Sequence, residues 1–233
     1  MFRHQEDKLG WGRSKTSKAY KALKKLVVYY QVPPCTRLDA IVISNMLDTS
    51  ITPVREALIQ LETEEYIESS LGNGYYTQKL DAKKLADHFD FIKMVLTHML
   101  RENLYEHSKF VKLPSWDDYC SASEFLQLFC ERIAGATNNS RTTDRVHESI
   151  LRTRYVRWLD LQRPERLTSI RDDMSEVMEL LDRRDKNGTI ANLDRQFSAI
   201  INTLPDLVLE GNDRAAKTKE SWLETLLSNW AES

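Results

Sequence analysis

Between residues 16 and 30, apolar side chains recur at helical spacing (Tyr20, Leu23, Val27, Tyr30) while lysines fill the other face. That pattern predicts an amphipathic helix. Val32-Pro33-Pro34 ends it, because proline lacks an amide and restricts the residue before it. Residues 39–47 predict a short second helix with Ile43, Met46 and Leu47 inward, followed by a turn at Asp48-Thr49-Ser50. A third helix is expected over 51–64, with Ser50 placed to cap it and Pro53 in its first turn, where a missing amide costs little. Val54, Leu58 and Leu61 share one face of that helix. Two short runs, Tyr66–Ser69 and Tyr75–Thr77, flank Gly72-Asn73-Gly74 and predict a β-hairpin.

Helix, helix, turn, helix and hairpin together outline a winged helix-turn-helix over residues 1–80. From Asp81 onward only helical patterns occur, over about 82–107, 117–136, 143–162, 166–184, 189–203 and 213–231. Breaks are expected near Pro114, Asn138-Asn139, Pro164, Asn187-Gly188 and Pro205. The expected fold class is mainly α: a winged helix-turn-helix with a small β-hairpin wing, then an all-helical bundle over 81–233. In the last helical segment Trp222, Leu223, Leu226, Leu227 and Trp230 form an apolar stripe, suited to packing on the bundle or to a dimer interface.

Composition narrows the class. Of 233 residues, 41% are hydrophobic and 29% charged, with only 7 Gly and 6 Pro, which excludes disordered, collagen-like and Gly-rich chains. No apolar run is long enough to span a bilayer, and MFRHQEDKLGWGR carries no secretory h-region. The three widely spaced cysteines, Cys35, Cys120 and Cys130, form neither a metal pattern nor a disulfide framework. The expectation is a cytoplasmic protein without membrane attachment. The net charge of −2 says little, but Arg13, Lys15, Lys18, Lys21, Lys24 and Lys25 cluster without an intervening acid. A basic head on an acidic body suits a polyanion-binding module joined to a second domain, and a solvated helix face is the alternative.

The stretch Ser50-Ile51-Thr52-Pro53-Val54-Arg55-Glu56-Ala57-Leu58, set after Arg37-Leu38 and followed by Gln60-Leu61-Glu62, resembles the DNA-binding domain of the GntR family of bacterial transcription regulators. That family reads Ser-Arg-Thr-Pro-Val-Arg-Glu-Ala-Leu here, so every position but Ile51 matches. Gly72-Asn73-Gly74 falls at the family's wing tip, and the helical C-terminal part looks like the FadR-type branch. The resemblance implies a recognition helix entering the major groove by its N-terminal end. Ser50 and Thr52 would then donate to phosphates, and Arg55 would reach phosphate or a guanine edge. Arg37 and the wing residues Gly72 and Asn73 would lie near the backbone. The alternative for Arg55 is a salt bridge to Glu56 or Glu62. Three departures stand out: Ile51 replaces an arginine, Ala40 a glutamate and Asp48 a turn glycine. Ile51 cannot hydrogen-bond a base but can pack on a thymine methyl, which predicts an A·T pair at that position or reduced affinity.

FadR-type helical domains commonly hold a divalent metal through an aspartate and three histidines, the first pair on an Asp-x-x-Phe-His step. The matching segment is Leu126-Gln127-Leu128-Phe129-Cys130, and the five histidines are His4, His88, His98, His107 and His147. Leu126 cannot ligate and no histidine follows 147, so no metal and no other cofactor is expected. Arg154, Tyr155 and Trp158 are the candidate effector-binding residues, in a run that also carries Arg152 and Arg157. An inward arginine beside an aromatic suits a carboxylate or phosphate on a small-molecule effector, and the resemblance to a branch with a metal-free acyl-CoA-responsive member adds an acyl-CoA-like ligand. The alternative is a solvated basic face.

The expected function is a dimeric DNA-binding transcription regulator, a repressor or an activator, binding double-stranded DNA at a short palindromic operator under effector control. A diverged member acting through protein interaction, with DNA binding or sensing lost, is the second reading. No nucleophile–base set, phosphate loop or paired-carboxylate motif is visible, so no enzyme and no catalytic residue is expected.

Overall fold

Asp39 opens the second helix by accepting hydrogen bonds from the amides of Ile41 (2.9 Å) and Val42 (3.3 Å), satisfying donors that the first turn leaves unpaired. The computed structural model containing it describes residues 15–28, 32–70, 72–102, 122–136 and 139–217. These fall into two units, residues 1–80 with 210–233, and residues 81–209.

In the first unit α1 (Lys15–Val28) precedes β1 (Arg37–Leu38), α2 (Ala40–Met46) and α3 (Ile51–Thr63); β2 (Ile67–Ser70) and β3 (Gly74–Thr77) follow. The three strands form an antiparallel sheet in the order β1-β3-β2, with Arg37 opposite Tyr76 and Ile67 opposite Thr77. Its core joins Leu23, Leu26, Ile43, Leu47, Val54, Leu58, Leu61 and Ile67 with smaller residues. The buried Thr77 hydroxyl accepts from the Thr36 amide (2.9 Å) and donates to the Pro33 carbonyl, fastening the loop before β1 to β3. β1 is an addition to the sequence expectation. Two residues with one inward side chain (Leu38) give no readable alternation.

Among the described residues four turn positions take the left-handed region without being glycine: Cys35 (φ 58°), Asp48 (φ 44°), Glu65 (φ 59°) and Arg184 (φ 58°). Asp48 stands where the resembled pattern has glycine, and the backbone keeps the glycine-like conformation there.

The second unit is helical: α4 (Ala82–Arg101), α5 (Ala122–Gly135), α6 (Ser140–Arg152), α7 (Arg154–Leu161), α8 (Pro164–Asp182) and α9 (Lys186–Lys217), whose last turns group with the first unit. Phe125, Phe129, Leu96, Met99, Ile150, Met174 and Val177 lie in its core. The segment expected as one helix over 143–162 is two. The fully buried Thr153 hydroxyl donates to the carbonyls of Ser149 (3.0 Å) and Ile150 (3.2 Å), and the chain turns there. The break expected at Pro205 is absent, since α9 continues through it. Leu204 and Leu207 are buried on either side, and Thr203 Oγ1 donates to the Ala199 and Ile200 carbonyls. Packing outweighs the lost amide there. Residues 103–107, 117–121 and 218–231, including the Trp222–Trp230 stripe, and Arg13 of the basic cluster lie outside the described residues.

Candidate functional site

The first candidate surface is the N-terminal end of α3. Pro53 and Val54 point into the core, as do Ala57, Leu58 and Leu61. This turns Ser50, Thr52 and Arg55 outward, where all three are exposed, with Ile51 half-buried. Ser50 occupies the N-cap position but its side chain makes no cap hydrogen bond, so the expected capping role falls away. Arg55 forms no ion pair with Glu56 or Glu62 among the described residues. Glu56 instead accepts from Thr16 Oγ1 at 2.7 Å. An uncommitted guanidinium thus stands one turn into a helix whose N-terminal amides favour anions.

The wing adjoins a second exposed cation. Arg37 keeps 61% of its side chain accessible and lies 3.6 Å from Asp39. A Cβ placed on Gly74 would sit 3.9 Å from Arg37 Nε, so the side chain runs beside the base of the wing. Gly72 (φ +77°) and Gly74 (φ +95°) make the turn, and Asn73 between them is exposed. Lys15, Lys18 and Lys21 of α1 are exposed as well. Lys24 is not part of that free charge. Its Nζ lies 2.7 Å from Glu64, and over the rings of Tyr20 (5.2 Å) and Tyr66 (5.0 Å). Burial alone would raise the Glu64 pKa. Hydrogen bonds from Lys24, Tyr20 and Gln60, with the Lys24 charge, hold it below the ordinary carboxylate value.

The second candidate is a cavity of about 80 Å³ inside the helical unit. Its wall is largely apolar and includes Phe89, Leu126, Phe129, Leu193, Phe197 and Ile200. Polar groups come from α7 and its neighbours: Arg157, Asp160, Arg166, Gln196 and Cys130. Asp160 is buried and paired, receiving Arg166 Nε at 2.8 Å, with Arg163 at 3.6 Å. Arg157 donates to the Ile150 carbonyl at 2.8 Å and more loosely to the Ser123 carbonyl at 3.4 Å. Its buried Nε has no partner, and no carboxylate lies within ion-pair distance among the described residues.

Three comparisons place this arrangement. No family model matches the chain. The Nta operon transcriptional regulator of Aminobacter aminovorans is 24% identical over 199 residues, spanning 79% of this chain and 94% of the relative. A solved structure described as a GntR transcriptional regulator from Rhodococcus sp. RHA1 superposes with a TM-score of 0.63 at 14% identity, covering 82% of this chain and 97% of that one. E. coli McbR/YncC superposes with a TM-score of 0.59 at 18% identity, covering 83% and 98%. The chain has the fold of the GntR-type regulators.

Within the GntR-type fold the metal-ligand positions do not fit a metal. Leu126 and Cys130 both line the cavity, but one is a hydrocarbon and the other is held protonated. Burial pushes the Cys130 thiol up to about 12; the Arg157 charge opposes this and the Glu131 charge adds to it. Among the described residues no three His, Cys, Asp or Glu side chains gather closely enough to hold an ion. His147 is engaged elsewhere, with Nδ1 2.7 Å from Glu131.

The three residues singled out on α7 do not line the cavity. Arg154 donates to Gln127 Oε1 at 2.9 Å, and Tyr155 stacks on Trp158 at 5.6 Å, with Trp158 43% exposed. Arg157 is the arginine of that run that reaches the cavity. The break at Thr153 rephases α7, whose buried residues are Val156, Leu159 and Asp160. Arg157, three residues before Asp160, shares that face. The triplet's own spacing, read without the preceding helix, is the signal that finds it.

Proposed function

We propose that this protein is a DNA-binding transcription regulator, not an enzyme, that acts as a homodimer on a short palindromic operator. The observation that carries the reading is Arg55: exposed, without an ion pair among the described residues, and one turn into α3 beside exposed Ser50 and Thr52. The curated relative is named a transcriptional regulator, which supports the same class. In this reading Ser50, Thr52 and Arg55 meet phosphate and base edges in the major groove, and Ile51 packs on a thymine methyl. Arg37, Gly72 and Asn73 hold the backbone beside the wing, and Lys15, Lys18 and Lys21 add sequence-independent attraction. Two copies related by a twofold axis double the footprint and set the half-site spacing. The setting is cytoplasmic, where the DNA is.

A small-molecule effector enters the helical unit at the cavity bordering α7, the helix that carries Arg154, Tyr155 and Trp158. It biases the dimer between two states of unequal DNA affinity. The residues present do not fit a resident metal, so recognition falls to this chain's own side chains.

The test is selection of bound duplexes from a random pool with the full chain, followed by gel shifts across a salt series. Affinity should fall steeply with salt. Arg55→Ala should weaken binding about tenfold, lower the salt slope by about one and leave the melting temperature unchanged. Binding that is indifferent to both salt and Arg55 would refute the reading, and would favour the protein-interaction alternative.

A further inference from the structure

Beyond its first turn, the outward face of α3 carries a single large apolar side chain. Ile59 is 52% exposed and lies outside the apolar core of the winged unit. It follows Thr52 by seven residues and Arg55 by four, so the three side chains share one face of the helix. Thr63, next along that line, turns its hydroxyl back to donate to the Ile59 carbonyl at 2.9 Å. Glu56 and Glu62 stand three residues to either side of Ile59. Thr16 holds the Glu56 carboxylate at 2.7 Å, drawing it toward α1.

We propose that Ile59 is a second specificity-determining residue, packed on the 5-methyl group of a thymine farther along the groove than the contact of Ile51. The proposal rests on the DNA-binding reading above and extends what α3 reads. A helix that turns Arg55 to the groove turns Ile59 to it as well, about 6 Å farther along the axis. The thymine methyl is the apolar group a duplex displays in the major groove, and the other base edges are donors and acceptors that a hydrocarbon cannot satisfy. The carboxylates of Glu56 and Glu62 repel phosphate, so the apolar contact falls on a base edge and not on the backbone. Ile51 and Ile59 are eight residues apart, about 12 Å along the axis. At about 3.4 Å per base step, that distance spans roughly three to four base pairs. Each half-site should therefore hold two thymines whose methyl groups matter, at that separation.

The experiment takes the full chain and its selected duplex, and replaces each thymine of one half-site in turn by deoxyuridine, which removes the methyl and keeps the base pair. Affinities are read by fluorescence anisotropy. At two positions the replacement should weaken binding about fourfold, the factor for burying one methyl group. Ile59→Ala should abolish the sensitivity at one of them and spare the other, and Ile51→Ala should do the converse. The salt slope should not change with Ile59→Ala, because no charge is removed. Three results overturn the proposal: a sensitivity pattern that Ile59→Ala leaves intact, a loss in Ile59→Ala that is equal on thymine and deoxyuridine duplexes at every position, or selected sites without thymines at that separation. Each of them leaves the DNA-binding reading standing so long as Arg55→Ala still weakens binding and lowers the salt slope. Binding indifferent to both salt and Arg55 refutes that reading and this proposal with it.

Discussion

Replacing Arg157 with methionine should make the ligand-free protein more stable. Burial pushes this guanidinium down to about 10 from 12.5, a shift that nearby Cys130 and Glu131 oppose and Arg154 reinforces. It stays charged at neutral pH, so the folded state carries the net penalty behind that shift. At about 1.4 kcal/mol for each tenfold, that penalty is roughly 3 kcal/mol. Against it stand the hydrogen bonds to the Ile150 and Ser123 carbonyls, together worth roughly 1–2 kcal/mol. The Ile150 carbonyl also accepts from Thr153 Oγ1, so it is not orphaned by the change. Methionine keeps the length of the side chain and suits an irregular apolar wall. The net gain is about 1–2 kcal/mol, a rise in melting temperature of roughly 2–6 °C for a chain of this size. Arg166→Met is the matched control from the same cavity. It strips buried Asp160 of its 2.8 Å partner and leaves Arg163 at 3.6 Å, so it should cost about 3 kcal/mol. Thermal and urea unfolding of both variants, monitored by circular dichroism, provide the measurement. If Arg157→Met lowers stability as Arg166→Met does, the guanidinium is a structural tie between α5, α6 and α7. The idea that its unpartnered Nε costs stability would then be wrong.

The clamp formed by Lys24, Tyr20 and Glu64 predicts a pH dependence. The folded-state pKa of Glu64 is depressed, so its contribution is complete above the unfolded value of 4.5 and is lost as pH falls through the folded value. Glu64→Gln should therefore be less stable than the parent by about 1 kcal/mol at neutral pH. The gap should close in acid, and urea midpoints that keep a constant gap would count against the clamp. Cys35→Gly should add about 0.5–1 kcal/mol, because Cys35 holds φ 58° at an exposed turn, whereas Cys35→Val should unfold at lower urea. Selected DNA sites should carry an A·T pair opposite Ile51, and Ile51→Arg should move the preference toward G·C; a guanine-centred consensus for the parent protein would refute the methyl contact.

The winged unit was legible because its function and its packing use one periodicity. Val54, Leu58 and Leu61 fix the phase of α3, and Thr52 and Arg55 follow outward from that phase without further information. The wing followed for a similar reason, since Gly72 and Gly74 lie where only a left-handed turn fits. β1 stayed hidden because its pairing partner, Tyr75-Tyr76, is some forty residues away, a non-local contact that local pattern does not carry. In the helical unit local and tertiary signals part company. Thr153 is an ordinary helical residue by propensity, and its buried hydroxyl turns the chain only because Ser149 and Ile150 place carbonyls within reach. That single turn moves Arg154, Tyr155 and Trp158 off the cavity wall and puts Arg157 on it.

The same contrast separates the two cations on which the functional reading depends. Arg55 and Arg157 both lack a carboxylate partner among the described residues, but for opposite physical reasons. Arg55 is solvated, so its vacancy costs nothing, and contact with a phosphate gains chiefly through counter-ion release. Arg157 is half-buried with its Nε fully buried and unpartnered, so the unmet donor there is destabilising. An exposed arginine reads long polyanions reversibly and with steep salt dependence. DNA affinity should therefore collapse between 50 and 200 mM salt, on the order of 10³-fold, and Arg55→Ala should lower the slope of that fall by about one. An affinity that holds across that range would refute the phosphate contacts assigned to α3 and the wing.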